Sequence, residues 1–298
     1  MKIVRGMVAL AICGIMAAGH ASDVPYVPTP MNVVDAMLEM GGVGPDDFLV
    51  DLGSGDGRIS IRAAQRYGTR GFGVDLDDQL VRSATEDAHR QGVSSKVQFE
   101  ARNIFETDVS RATVVTAYLL SSVNHRLRPR LFEQLKPGAR IVTHDFAFGE
   151  WAPDRKLTID VPEKMYGPPR SDIMLWVVPA NLAGVWQWTQ TASGGNLRYE
   201  ARIEQKFQNI VGTGGVDLAR SRILEGRVNG TAVELRLGSG ASAMHYSGVI
   251  EGDLIRGNAV MNGGAAQAWQ ARRVRSGKMN IGGFAETRVA AVGLDKEQ

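Results

Sequence analysis

The sequence predicts a doubly wound α/β domain followed by a small all-β domain. The first domain is indicated by a glycine-rich turn after an apolar strand, together with alternating strand-like and helix-like segments up to residue 180. The second is indicated by a change of pattern after Leu182: helical periodicity disappears, glycine becomes frequent, and short alternating runs follow one another.

The glycine-rich turn follows the first predicted strand, Phe48 to Leu52, and residues 51–58 read DLGSGDGR. Glycine lets the backbone turn tightly and lets a ligand approach peptide N–H groups at the start of a helix. Dinucleotide-binding folds space their glycines as G-x-G-x-x-G. Here the third glycine comes one residue early, and Arg58 occupies the expected position.

The second predicted strand, Gly71 to Val74, is followed at once by Asp75. An acid at the end of the second strand of such a sheet is placed to accept hydrogen bonds from ribose hydroxyls. The glycine turn and Asp75 therefore predict together a crevice for a nucleoside-type cofactor.

The remaining elements of the first domain follow from periodicity and from glycine and proline signals. Helices are expected at residues 31–40, 59–67, 78–91 and 129–135, with Thr29 as a candidate cap of the first. Strands are expected at residues 48–52, 71–74, 97–101, 113–119, 139–143, 157–161 and 173–178. The last two are joined by a proline-rich loop, residues 162–169, without helical pattern, which favours an antiparallel hairpin at the sheet edge.

The second domain is expected to be an antiparallel barrel or sandwich of roughly eight strands. Its predicted strand runs are residues 184–189, 197–207, 215–218, 222–227, 232–237, 244–250, 254–261 and 268–274. Asn229-Gly230 and Gly252-Asp253 are hairpin-turn signals. Three tryptophans either line a ligand pocket or fill the core: Trp186, Trp188 and Trp269. The predicted boundaries are 22–180 and 181–275 for the two domains, with a weakly ordered tail at 276–298.

The DLGSGDGR segment resembles the first motif of class I (seven-strand) S-adenosylmethionine-dependent methyltransferases. Residues 26–30, YVPTP, and residues 51–59, DLGSGDGRI, narrow the resemblance to the protein-lysine methyltransferases of the ATP synthase c-subunit and the adenine nucleotide translocase. The similarity covers about residues 25–155. It implies a Rossmann-like methyltransferase sheet, S-adenosyl-L-methionine as cofactor, and a protein lysine as acceptor near Tyr118 and the Pro28–Thr29 loop.

The resemblance also implies the residues of the cofactor site. These are Asp51, Gly53, Ser54, Gly55, Asp75, Asn103 and Thr29. Asn103 stands where the family usually has an aspartate that recognises the adenine amino group, and an asparagine oxygen can accept the same hydrogen bond.

Three residues near the ends of the fourth and fifth strands are candidates for catalysis: Tyr118, His144 and Asp145. His144 would relay a proton and Asp145 would orient the acceptor; the alternatives are packing for Tyr118 and strand capping for the other two. Methyl transfer from a sulfonium needs mainly positioning and a deprotonated nucleophile. Asp145 alone does not form a carboxylate cluster, so no metal is predicted.

The first 21 residues have the pattern of a secretory signal, with Lys2 and Arg5 before the apolar run 6–18. We expect an exported, periplasmic protein; the alternative is an uncleaved anchor that holds the enzyme at the cytoplasmic side of the membrane. Cleavage would remove Cys13, which is the only cysteine, and with it any disulfide or thiolate chemistry.

The charge of the chain is nearly balanced, with 34 Lys and Arg residues against 32 Asp and Glu residues, and it shows no basic groove for nucleic acid. The resemblance implies a protein substrate as partner, such as a membrane or envelope protein. A non-enzymatic alternative is an exported module that binds a nucleoside-like ligand and uses its β-domain for a lipid or a protein. The intact glycine turn and Asp75 favour the enzyme.

Overall fold

The computed structural model describes residues 26–192, 195–216, 222–240, 243–261 and 264–282. The predicted signal segment and most of the predicted tail lie outside these residues. The described chain forms an α/β domain, whose last strand ends at Val177, and an all-β domain, whose first strand begins at Gly184.

The α/β domain has a mixed sheet of seven strands flanked by helices. Its elements are α1 (Met31–Met40), β1 (Phe48–Leu52), α2 (Arg58–Tyr67), β2 (Arg70–Asp75), α3 (Asp78–Arg90), β3 (Val97–Ala101), β4 (Val114–Ala117), α4 (Ser121–Gln134), β5 (Arg140–His144), β6 (Arg155–Asp160) and β7 (Arg170–Val177). The strand order is β3-β2-β1-β4-β5-β7-β6, and β7 runs antiparallel to both of its neighbours.

This order confirms the predicted doubly wound sheet and its antiparallel edge hairpin. Strand β1 pairs with β2 on one side and with β4 on the other, both in parallel. The chain thus reverses its direction of winding at β1, and a crevice opens there at the carboxyl ends of the strands.

Helix α4 differs from the prediction, which began it at Pro129. The helix begins at Ser121, and Pro129 lies inside it. Proline lacks an N–H and is favoured in the first turn, which is why the sequence suggested a start there. Val123, Leu127 and Leu131, spaced four residues apart, are all buried, and their packing against the sheet offsets the lost hydrogen bond.

The all-β domain is a closed barrel of eight antiparallel strands. They are β8 (Gly184–Ala192), β9 (Gly195–Lys206), β10 (Asn209–Gly215), β11 (Arg222–Asn229), β12 (Ala232–Leu237), β13 (Met244–Glu251), β14 (Leu254–Met261) and β15 (Gln267–Ser276). Strand β15 pairs with β8 and closes the cylinder, which decides the predicted choice between barrel and sandwich. Trp186, Trp188 and Trp269 are buried members of its apolar core.

The strand expected at residues 215–218 is replaced by β10, which covers Asn209–Gly215. The strand ends at Gly215, and residues 217–218 lie outside the described part of the chain. Its glycines hide the alternation that sequence analysis looks for. A Cβ at Gly212 would lie 2.1 Å from the Arg202 carbonyl oxygen, so glycine is required for the close approach of β10 to β9.

Aromatic packing joins the two domains. Trp151, fully buried, stacks on Phe207 at 5.9 Å between ring centroids, and its indole Nε1 donates to Gln208 Oε1 at 2.9 Å. Phe207 belongs to the same core cluster as the sheet residues. The barrel is therefore packed into the core of the sheet rather than tethered by a linker.

The first residues of the predicted weakly ordered tail are bonded to the barrel, which corrects the prediction for this segment. Gly277 N donates to the Ala183 carbonyl at 3.0 Å, and Asn280 N donates to the Gln205 carbonyl at 2.8 Å. These bonds hold residues 277–282 against the barrel and explain why a segment of weak sequence pattern is ordered. The tail from residue 283 lies outside the described residues.

Candidate functional site

A crevice of about 470 Å³ opens at the carboxyl edge of the sheet, beside the glycine turn. This volume lies within the ordinary range for a small-molecule site. Seven of the predicted site residues line it: Thr29, Gly53, Ser54, Gly55, Asp75, Asn103 and Tyr118. Asp51, His144 and Asp145 lie behind its wall.

The glycine turn keeps its shape because two positions exclude a side chain. Gly53 and Gly55 have φ angles of 77° and 54°, in the left-handed region that favours glycine. A Cβ at Gly55 would come within 2.4 Å of the Tyr26 ring. The N–H groups of Gly53 and Ser54 both donate to the Val74 carbonyl at 2.9 Å, which closes the turn onto β2, and the glycines let a ligand in the crevice approach the backbone closely.

Asp75 is fixed at the end of β2 by two backbone donors. Its Oδ2 accepts from Gly55 N at 2.9 Å, and its Oδ1 accepts from Asp77 N at 3.0 Å. A carboxylate has further lone pairs, so both oxygens can still accept from the hydroxyls of a ribose in the crevice. One carboxylate thus joins the glycine turn to the predicted ribose position.

Asn103 faces the crevice after β3 together with two apolar residues, Ile104 and Phe105. Its Oδ1 accepts from Phe105 N at 3.0 Å, which fixes the orientation of the side-chain amide. The apolar side chains offer a surface against which a flat base can stack.

Asp51 is buried beneath the turn. Its Oδ1 accepts from Thr116 Oγ1 at 2.7 Å, and its Oδ2 has no hydrogen-bond partner within the described residues. Burial, with Asp75 and Asp56 adding repulsion and the Thr116 bond opposing, raises the pKa of Asp51 to about 7. A buried polar atom without a partner is uncommon in a folded protein, and here it lies beneath the glycine turn.

Sequence analysis missed the residues that hold the segment 26–30, here called the strap, against the crevice. Arg58 Nη1 donates to the Thr29 carbonyl at 2.8 Å, and its Nε donates to Asp56 Oδ1 at 2.9 Å. The phenol of Tyr26 lies beside Asp56; burial first, and then this carboxylate, raise its pKa to about 12. The sequence signal that could have revealed this contact was Arg58, which stands where dinucleotide-binding folds have their third glycine.

Thr29 was also expected to cap α1, and this prediction is wrong. Pro30 occupies the N-cap position, without a side-chain hydrogen bond. The Thr29 side chain is buried and turns instead toward His144, with 3.4 Å between Oγ1 and Nδ1. Arg58 holds the Thr29 carbonyl, and the Thr29 hydroxyl faces inward, toward the His144 ring.

Tyr118 follows β4 and forms an aromatic wall of the crevice. Its ring stacks on the His144 ring, with 3.8 Å between centroids and 25° between planes. Burial, with Asp145 adding to the effect, raises the pKa of the Tyr118 phenol above its usual value. The hydroxyl is therefore protonated at neutral pH.

His144 lies under Tyr118 and is only 1% exposed. Its Nε2 is 2.8 Å from Ser171 Oγ, so hydroxyl groups face both ring nitrogens. Burial lowers the pKa of His144 to about 4, with Asp145 opposing and Lys164 adding to the shift. The ring is neutral and supports Tyr118; the predicted proton relay would require it to gain access to the crevice.

Asp145 is held at the end of β5 by the loop between β6 and β7. Its Oδ2 accepts from Lys164 Nζ at 2.6 Å, and its Oδ1 accepts from Asp172 N at 2.9 Å. The backbone of Asp145 has a φ of 61°, which is uncommon outside glycine. In this arrangement Asp145 ties the loop to the sheet and does not line the crevice.

The residues present fit S-adenosylmethionine. The glycine turn and the unpaired oxygen of Asp51 suit its amino-acid end, Asp75 suits its ribose, and Asn103 with its apolar neighbours suits its adenine. Within the described ranges, no group of three or more His, Cys, Asp or Glu side chains could hold a metal ion. Nor does any helix there combine the length and apolar character that a membrane span requires.

The sheet order, the glycine turn and Asp75 define the class: an S-adenosylmethionine-dependent methyltransferase. The family model described as the ANTKMT methyltransferase domain matches residues 51–155. A protein-lysine N-methyltransferase from Saccharolobus islandicus is 44% identical over 142 residues, which cover 47% of this chain and 88% of that protein. The chain belongs to this family of methyltransferases, which favours the enzyme over the non-enzymatic alternative.

Two other relatives match this chain over a smaller fraction of their own length. The adenine nucleotide translocase lysine N-methyltransferase of Mus musculus is 34% identical over 132 residues, covering 44% of this chain and 57% of that protein. The lysine N-methyltransferase of the ATP synthase c-subunit from Xenopus laevis is 32% identical over 130 residues, covering 44% of this chain and 57% of that protein. This chain therefore spans little more than half the length of these two relatives.

Among solved structures, one similar chain is an RNA methyltransferase from Salinibacter ruber in complex with S-adenosyl-L-homocysteine. It is 50% identical, with a TM-score of 0.48, and the alignment covers 52% of this chain and 96% of that one.

Proposed function

We propose that this protein transfers a methyl group from S-adenosylmethionine to the side-chain amine of a lysine in another protein. The observation that carries the proposal is the aromatic wall formed by Tyr118 on His144 in the same crevice as Asp75. The lysine acceptors named for the relatives in Saccharolobus islandicus and Mus musculus support it.

The proposal has a physical basis in what a lysine amine needs. The amine must lose a proton before it can form the new N–C bond, and a desolvating aromatic wall lowers the pKa of an ammonium group. When bound, S-adenosylmethionine would supply an electrophilic methyl group, and the electron pair of the broken S–C bond would remain on its sulfur. The face of Tyr118 can first hold the protonated lysine by cation–π attraction, and once the proton is lost the Tyr118 hydroxyl oxygen can accept an N–H of the neutral amine and orient it.

In this mechanism His144 is a positioning residue. Its neutral ring, fixed between Thr29 and Ser171, sets the plane of Tyr118. No protein group is required as the final base, since the proton of the amine can pass to water.

The direct test is to incubate the full-length protein with radiolabelled S-adenosylmethionine and either a bacterial membrane-protein fraction or total RNA. Label is expected in protein, at lysine by mass spectrometry, and absent with Asp75→Ala. Tyr118→Phe should keep partial activity and Tyr118→Ala should lose most of kcat while the affinity for S-adenosylhomocysteine is retained. Label in RNA alone would overturn the lysine acceptor.

We also propose that the protein is exported and that its acceptor is a membrane or envelope protein. The support is the signal-like pattern of residues 1–21. Fractionation of cells that produce the full chain, with sequencing of its N-terminus, should find a protein cleaved after residue 21 in the periplasm. An uncleaved protein in the cytoplasmic membrane would favour the anchor instead.

A further inference from the structure

Large exposed apolar side chains in the α/β domain are concentrated at one edge of the sheet. Among the described residues of this domain there are seven such side chains, and only Leu157, on the edge strand β6, lies elsewhere. The other six, here called the collar, are Tyr26, Met31, Leu76, Leu120, Met165 and Tyr166.

The topology explains why the collar surrounds the crevice. Leu76 follows the carboxyl end of β2, and Leu120 follows that of β4. Tyr26 is the first residue of the strap, and Met31 follows its last residue. Because parallel strands end at the same edge, all of these side chains lie around the opening through which an acceptor must reach Tyr118.

The two most exposed members of the collar are on the loop between β6 and β7. Met165 is 68% exposed and Tyr166 is 66% exposed. The residue before them, Lys164, is only 9% exposed and donates to Asp145 Oδ2 at 2.6 Å and to the Arg170 carbonyl at 2.7 Å. This anchor fixes the loop next to the Tyr118–His144 stack and leaves its apolar apex facing solvent.

Apolar side chains that are grouped at a functional opening mark a binding surface, whereas single exposed apolar residues are ordinary. We propose that the collar binds apolar side chains that flank the acceptor lysine in a protein substrate, and that Met165 and Tyr166 thereby determine specificity. This inference builds on the proposed lysine acceptor. Two members of the collar, Tyr26 and Leu76, also line the crevice, so that a segment seated on the collar places its lysine at Tyr118.

The charges on the same edge favour a protein segment over an anionic lipid surface. Asp77 and Asp78, beside Leu76, and Glu163, beside the loop apex, are exposed acids. They attract a lysine-containing segment and repel anionic headgroups.

The test uses two synthetic peptides of equal length and charge, with one central lysine flanked by leucine and valine in one and by serine and glutamine in the other. Methyl transfer from radiolabelled S-adenosylmethionine gives kcat/KM, and fluorescence anisotropy in the presence of S-adenosylhomocysteine gives affinity. The enzyme variants are wild type, the double variant Met165→Ser/Tyr166→Ser, and the matched control Leu157→Ser.

The wild type is expected to prefer the apolar-flanked peptide by about tenfold or more in both measurements. The double variant should lose this preference, with an unchanged KM for S-adenosylmethionine. Leu157→Ser should behave as wild type, and equal binding of both peptides by the wild type would overturn the collar.

The two assays separate this inference from the proposed function. Preferential binding without methyl transfer would contradict the lysine acceptor and keep the collar as a docking surface. Methyl transfer to both peptides with equal efficiency would support the lysine acceptor and contradict the collar. Binding of the wild type, but not the double variant, to phosphatidylcholine vesicles without peptide discrimination would replace the protein segment with a membrane.

Discussion

The two domains treat buried polar groups differently. Beyond residue 180, the buried polar side chains in the described part of the chain are Gln205 and Gln208. Both serve the domain junction: Gln205 donates to the Ala180 carbonyl at 3.0 Å, and Gln208 accepts from Trp151. The α/β domain instead buries Asp51 with one oxygen unpaired.

The difference shows where chemistry can reside in this protein. A parallel sheet has an edge where strand ends converge, so loops can assemble a polar crevice there. The barrel has no comparable edge, since β15 pairs with β8, and aromatic side chains occupy its interior. The following variants test this contrast between the two domains.

The largest expected effect is on stability, at the junction of the domains. Trp151→Ala should lower the free energy of unfolding by about 3–5 kcal/mol, because it removes a fully buried ring between Phe132 and Phe207. Chemical denaturation followed by far-ultraviolet circular dichroism measures the change. A loss below about 1 kcal/mol would show that the barrel is not packed into the sheet core.

The next effect is on the crevice alone. Asp75→Ala should weaken S-adenosylhomocysteine binding by about a hundredfold, because charge-assisted hydrogen bonds to a ligand and the tie to Gly55 N are lost. Isothermal titration calorimetry provides the measurement, with the neighbouring exposed Asp78→Ala as control. Undiminished affinity in Asp75→Ala would show that the cofactor lies elsewhere.

The third effect depends on pH. Asp51 keeps its proton in the folded protein up to about pH 7, whereas the unfolded chain loses it near the ordinary value of 3.8. Between these values the folded state binds more protons, so this residue makes stability fall as pH rises.

Asp51→Asn removes this titration. The stability of the variant relative to wild type should therefore increase by about 2 kcal/mol between pH 5 and pH 8. Denaturation curves at the two pH values give the difference. A pH-independent difference would mean that Asp51 is ionised in the folded protein.

A smaller effect is expected at the strap. Arg58→Met breaks the bonds to Asp56 and to the Thr29 carbonyl, so the KM for S-adenosylmethionine should rise about tenfold while kcat changes less. Arg62→Met, on the same helix but paired with Asp35, is the control. An equal fall in kcat with unchanged KM would assign Arg58 to the methyl-transfer step instead.

The smallest effect compares two tryptophans. Trp269 Nε1 in the barrel is buried without a described partner, whereas Trp151 Nε1 donates to Gln208. Trp269→Phe should therefore cost less than about 1 kcal/mol, and Trp151→Phe about 1–3 kcal/mol, because only the second leaves an acceptor unpaired. Thermal denaturation of the pair measures both, and the reverse order would point to a hydrogen-bond partner for Trp269.

The sequence by itself determined the features that depend on neighbouring residues. The glycine turn, the acid at Asp75 and the alternation of helices and strands follow from local backbone preferences, and they sufficed to predict the sheet and a nucleoside-type cofactor. Hairpin signals at Gly230 and Gly252, both with positive φ, likewise predicted turns between barrel strands.

Only the tertiary structure decided the features that join distant segments. The burial of His144 under Tyr118, the placement of Thr29 by Arg58, and the packing of Phe207 on Trp151 each depend on which elements become neighbours. The interior position of Pro129 has the same origin, because the packing of α4 overrides its local cost. Burial and its pKa shifts arise from the surroundings of a side chain, and these exist only once the chain has folded.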